Sequence, residues 1–137
     1  MTEQSAGDTL VNPVDTTVTV SRSVSQPVKE IWKLLVTREG AEALLGAGGE
    51  LGDKGDSWRA ADGTFGVVRS YHPLEQIRFS WHAAEEAPKT IVEIDLAASD
   101  DGTTVQIRHE HIPSYFDANA LTRKWEHALE KLAAAAG

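Results

Sequence analysis

The chain has 137 residues, with 41% hydrophobic and 25% charged side chains, which suits one globular domain and excludes a largely disordered chain. Thirteen basic against twenty-one acidic residues give a formal charge of −8, and no basic cluster interleaves with aromatics, so no nucleic-acid partner is expected. There is no cysteine, which excludes disulfides, thiolate metal sites and a cysteine nucleophile.

The first fifteen residues, MTEQSAGDTLVNPVD, are polar and turn-rich. They lack the basic start and apolar core of a secretory signal and read as a flexible N-terminal tail over 1–15. No run is long and apolar enough to span a membrane, so no membrane association is expected and a cytoplasmic location is.

Residues 16–24, TTVTVSRSV, are β-branched, with Val18, Val20 and Val24 in one register, and predict a strand. Ser25 or Gln26 then offers a cap, Pro27 suits a first helical turn, and Val28, Ile31, Trp32 and Leu35 fall on one helical face. REGAEALLG predicts a second short helix stopped by glycine. Gly46, Gly48, Gly49, Gly52 and Gly55 crowd the next segment without a phosphate-binding pattern, so they read as turns and bends.

Five strand-like runs follow: 57–60, 64–71, 76–83, 90–98 and 103–112. Asp62-Gly63, His72-Pro73-Leu74-Glu75 and Ser99-Asp100-Asp101-Gly102 are turn-forming links, which predicts an antiparallel meander. Alternation places Phe65, Val67 and Tyr71 inward, as it does Ile77, Phe79 and Trp81, then Val92, Ile94 and Leu96, then Val105, Ile107, His109 and His111. Glu93 and Asp95 face out. The chain closes with a long helix from about 117 to 136, capped by Asp117 and followed by Gly137. Leu121, Trp125, Ala128, Leu129 and Leu132 form its apolar stripe, while Arg123, Lys124, Glu126, Glu130 and Lys131 lie away from it. At about 30 Å this helix is long enough to cover a six-stranded sheet.

Two histidines closing an apolar strand admit several roles: metal ligands, a general base, the polar end of a ligand cavity, or a satisfied core histidine beside a rim residue. A metal needs a third ligand that the pattern does not supply, and the chain has no GxSxG nucleophile turn.

The run 63-GTFGVVRSYHPLEQIRFSW-81 resembles the Gly-Thr, Gly-Val, Pro-x-x-x-Ile/Leu-x-Phe-x-Trp pattern of activator of heat-shock protein 90 ATPase-like domains, which belong to the START/birch-pollen-allergen-like SRPBCC superfamily. The runs 24-VSQPVKEIWKLLV-36, 101-DGTTVQIRHEHIP-113 and 125-WEHALEKL-132 are similar in order and spacing, so the resemblance covers about residues 16 to 135. It implies an α+β helix-grip fold over 16–137: a curved antiparallel sheet of six to seven strands around a long C-terminal helix, with two short helices between the first two strands. EALLGAGGELGDKGD departs from the pattern where relatives often carry aromatic residues, and that region often shapes the cavity mouth.

The resemblance implies a binding protein for a hydrophobic or aromatic small molecule, in a carrier or sequestering role. A co-chaperone-like partner of heat-shock protein 90 and a polyketide cyclase-like enzyme are the alternatives. The expected cavity lining is Trp58, Phe65, Tyr71, Phe79, Trp81, Ile94, Ile107, His109, Tyr115 and Trp125. No cofactor, metal or catalytic residue is assigned, and the protein is expected to be a monomer or homodimer.

Overall fold

The computed structural model describes residues 15–136. The tail expected over 1–15, except Asp15, and the helix stop at Gly137 lie outside the described residues. The elements are β1 (Asp15–Val24), α1 (Val28–Leu35), α2 (Arg38–Leu45), β2 (Ser57–Arg59), β3 (Phe65–His72), β4 (Gln76–Trp81), β5 (Thr90–Ser99), β6 (Gly102–Pro113) and α3 (Ala118–Ala136). The six strands form one antiparallel sheet in the order β1-β6-β5-β4-β3-β2. The fold is the expected helix-grip arrangement, with a curved open sheet and a long C-terminal helix.

Local chemistry explains the helices. The α1 start differs from expectation: Pro27 itself is the capping residue, with extended backbone and no side-chain cap. Proline has no N–H of its own to satisfy there, and its carbonyl accepts from the Glu30 and Ile31 N–H groups. Thr37 caps α2, accepting from the Gly40 N–H. Asp117 caps α3 through Oδ1, which accepts from the Ala120 N–H at 3.0 Å. The predicted α3 stripe of Leu121, Trp125, Ala128, Leu129 and Leu132 is buried. It packs with Ile31 and Leu35 of α1, Leu44 and Leu45 of α2, and the inner face of the sheet.

Two bulges re-aim side chains. Between Val68 and Ser70, β3 advances two residues while β4 advances one. The extra residue flips the parity of β3, so Val68 is buried and Val67 is exposed, contrary to the inward register expected of Phe65 and Val67. In β6 an extra residue lies between His109 and Ile112, and His111 takes a left-handed backbone with φ of 65°. His109 and Ile112 are therefore buried and His111 is exposed, so the two histidines do not share a face.

The outer face is charged as its pattern predicts. Arg78 pairs with Glu93 at 3.3 Å and with Glu110 at 3.5 Å, and Arg108 pairs with Glu110 at 3.2 Å. Burial and the neighbouring Asp95 push the Glu93 carboxyl above its ordinary value, against the two arginines.

Candidate functional site

The C-terminal end of β4, the start of β5 and the distal half of β6 meet at one end of the sheet, beneath the first half of α3. Trp81, Thr90, His109 and Trp125 converge there. The three rings are mutually edge-on: Trp81 to His109 at 4.9 Å, His109 to Trp125 at 5.7 Å, and Trp81 to Trp125 at 6.2 Å. Beside them Trp58 stands edge-on to Phe79 at 5.6 Å.

A directed hydrogen-bond chain runs through this cluster. The Trp125 indole N–H donates to His109 Nδ1 at 3.0 Å. An indole nitrogen can only donate, so Nδ1 must be the unprotonated nitrogen. His109 Nε2–H then donates to Thr90 Oγ1 at 2.7 Å, and the Thr90 hydroxyl donates to the Trp81 carbonyl at 2.7 Å. Every link has a donor and an acceptor. Burial, reinforced by the Lys124 charge, lowers the His109 pKa from 6.5 to about 4. With both ring nitrogens engaged and the ring neutral, His109 has no free lone pair with which to act as a general base.

Lys124 and Asp62 close the cluster from above. The Lys124 ammonium lies 5.5 Å from the Trp125 ring centre and 5.9 Å from that of Trp81, and 3.8 Å from Asp62 Oδ2. Asp62 Oδ1 accepts from the Thr64 hydroxyl at 2.7 Å and from its N–H at 3.0 Å. Burial works against the Asp62 carboxylate, but the Thr64 hydrogen bonds and Lys124 outweigh it and hold its pKa below the ordinary value.

One polar group is left over. Trp81 is 3% exposed, and its indole N–H has no hydrogen-bond partner among the described residues. By contrast, the Trp58 indole donates to the Ser80 carbonyl at 3.2 Å.

The structure brings together Trp58, Phe79, Trp81, His109 and Trp125 of the expected lining, with Ile94 and Ile107 in the same core. Phe79, Ile94, Ile107, His109 and Trp125 are 0% exposed. A side chain with no surface open to a water-sized probe borders neither solvent nor a water-sized void, so these five are packed wholly against other protein atoms.

Three expected residues lie elsewhere. Phe65 turns outward through the β3 parity change, stacks on His82 at 4.5 Å under Arg59, and helps line a depression of about 370 Å³ at the β2–β3 edge. Tyr71 points inward but sits at the opposite end of β4, edge-on to Trp32 at 5.2 Å. It pairs with Ile77, which is about 13 Å along the strand from Trp81 at 3.3 Å per residue. Tyr115 is 76% exposed in the turn before α3, beside Phe116. Neither tyrosine meets His109.

Thr90, Lys124 and Asp62 were not among the expected site residues. Lys124, expected to lie away from the apolar stripe, is instead half-buried on its margin, three residues after Leu121 and four before Ala128. Its four-carbon stem can lie over apolar rings while the ammonium reaches solvent.

Among the described residues, no three His, Cys, Asp or Glu side chains gather as a metal site requires, and no helix is long and apolar enough to cross a membrane.

The curved antiparallel sheet and the long C-terminal helix define a helix-grip domain. More particularly, the chain belongs to the family described as Activator of Hsp90 ATPase homolog 1-like protein, whose sequence model matches residues 25–137. Among curated proteins, none matches. Solved structures share the fold. Protein MLL2253 from Mesorhizobium loti superposes with a TM-score of 0.76 at 19% identity, covering 87% of this chain and 95% of that one. CalU16 from Micromonospora echinospora gives 0.72 at 20% identity, covering 85% and 71%. The Aha1 dimer from Colwellia psychrerythraea gives 0.72 at 19% identity, covering 88% and 95%. At these identities the likeness is one of fold.

Proposed function

We propose that the protein binds a hydrophobic, aromatic small molecule at the Trp81–His109–Trp125 end of the sheet, in a carrier or sequestering role. The observation that carries this reading is the Trp81 indole N–H, which is buried among aromatic rings without a partner among the described residues. A buried donor left unmade costs roughly 1–3 kcal/mol, and a bound molecule that accepts from it recovers that cost. Aromatic walls with a few placed polar groups are the usual make-up of a small-molecule site.

The closed packing of Phe79, His109 and Trp125 means that a ligand enters by displacing what lies above them. The first half of α3 covers this end through Trp125, and the Lys124–Asp62 pair ties α3 to the loop between β2 and β3. Binding therefore takes the form of a shift toward an opened state.

Native mass spectrometry of the protein purified from its own host tests the reading, with the denatured mass as reference. Extra mass lost on denaturation, accompanied by quenching of tryptophan fluorescence when the released compound is added back, is the expected result. An apo mass, together with no fluorescence or thermal response to a panel of bicyclic aromatics up to their solubility, overturns it.

A further inference from the structure

Resting on that reading, we infer that the site selects an uncharged aromatic molecule bearing a hydrogen-bond acceptor, such as an aryl ketone, over aromatic acids and over unsubstituted hydrocarbons.

The inference comes from accounting for every polar group around Trp81. On the acceptor side, His109 Nδ1 holds the Trp125 N–H, Thr90 Oγ1 holds His109 Nε2–H, and the Trp81 carbonyl holds the Thr90 hydroxyl. The Ser80 carbonyl holds the Trp58 N–H, and Asp62 Oδ1 holds both donors of Thr64. A ligand hydroxyl or amine buried here meets acceptors that already have donors, apart from Asp62 Oδ2, which faces the Lys124 ammonium. On the donor side, the Trp81 N–H is the buried donor of this cluster that lacks a partner among the described residues.

Charge completes the selection. The cation nearest the cluster is Lys124, and Asp62 Oδ2 already faces it at 3.8 Å. His109 is neutral, because burial and Lys124 depress its ionisation. A ligand anion would lose its hydration, meet a lysine that is already matched, and approach the Asp62 carboxylate. A neutral carbonyl oxygen takes the indole N–H without that cost. The aromatic body follows from the surroundings, since the Trp81 ring lies edge-on to both His109 and Trp125.

Three naphthalenes that differ in one substituent test this: 2-acetylnaphthalene, 2-ethylnaphthalene and 2-naphthoate, titrated against the whole protein by isothermal calorimetry. 2-Acetylnaphthalene is expected to bind about tenfold tighter than 2-ethylnaphthalene, the worth of one buried hydrogen bond, and 2-naphthoate weakest. In Trp81→Phe the preference for the acetyl over the ethyl compound should vanish. Because that variant alters the core, the wild-type Trp81 indole ¹H–¹⁵N resonance gives a second readout. It should move downfield with 2-acetylnaphthalene and not with 2-ethylnaphthalene. Equal affinity for the acetyl and ethyl compounds overturns the selectivity and leaves the binding reading standing. Tightest binding by 2-naphthoate overturns it in favour of Lys124 as an anion anchor. Binding of none of the three overturns both.

Discussion

The Trp125 indole N–H donates to His109 Nδ1 at 3.0 Å, and this bond ties the protonation state of a strand histidine to the seating of the C-terminal helix. A proton on Nδ1 would set two donors against each other inside a buried cluster. The consequence for stability has a definite sign. The folded His109 pKa is about 4 against 6.5 when free, so the unfolded chain binds more protons between those values. The stability that neutral His109 contributes is fully present above pH 6.5 and is lost as pH falls toward 4. The two pKa values set its size at no more than about 3 kcal/mol. Urea unfolding at pH 7 and pH 4.5 checks it: wild type should lose up to that much more stability than His109→Gln over the same interval. Equal losses would show that His109 does not carry the effect.

Thr90 is the pivot of the same chain. Thr90→Val keeps the shape but leaves His109 Nε2 and the Trp81 carbonyl without their shared hydroxyl, at an expected cost of about 2 kcal/mol. Trp125→Phe removes the donor to Nδ1 and leaves a void, at an expected cost of about 3 kcal/mol. Because both act through one imidazole, the double variant should cost less than the sum of the two singles by at least about 0.5 kcal/mol. Denaturant midpoints of the four proteins close the cycle, and strict additivity would break the link through His109.

Lys124→Met separates packing from charge. Methionine can cover the Trp81 and Trp125 rings as the lysine stem does, and the ion pair with Asp62 is partly solvated, so the stability change should stay under about 1 kcal/mol. Removing the charge takes away one of the two influences that lower the His109 pKa, so its titration should move upward. Burial, the larger influence, remains, so it should not return to 6.5. An NMR titration of the His109 ring resonances in both proteins measures the shift. No upward movement would mean that Lys124 does not act on the imidazole.

Much of this architecture was legible from periodicity. The α1 and α3 stripes and the inward set of Ile77, Phe79 and Trp81 follow from spacing alone, because helix and strand periods are properties of the backbone. What spacing could not reveal were the two extra residues that reset the phase of β3 and β6. No glycine marks the bulge at Arg69, and His111 takes its left-handed backbone without one, so alternation carried Val67 and His111 to the wrong face. The placement of Tyr71 away from His109 is likewise a matter of hairpin direction, since inward parity does not say which end of a strand a residue occupies. The chain through Thr90 depends on which residues β5 and β6 set side by side, with Val92 opposite His109, and sequence spacing does not specify that register. Lys124 was expected away from the stripe, and its place as a cap over two indoles required the position of the β2–β3 turn.

Gly66 shows how tightly the sheet edge is built around Trp58. The two residues pair across β2 and β3, and a Cβ on Gly66 would fall 1.8 Å from the Ser80 carbonyl oxygen and 2.8 Å from Trp58 Nε1. Both atoms belong to the bond by which the Trp58 indole is held. The backbone of β4 cannot yield without parting from β3, and the indole cannot swing without leaving Phe79. Gly66→Ala is therefore expected to cost more than about 3 kcal/mol, in the range reserved for overpacking and broken buried bonds. Gly63→Ala makes the contrast. An added methyl there meets nothing within 4 Å, but the backbone has φ of 96°, so the cost is conformational and about 1 kcal/mol. Urea midpoints order the two variants, and Trp58 fluorescence should shift only in Gly66→Ala. If both lose the same stability, steric closure at the β2–β3 edge is not what holds Trp58 in place.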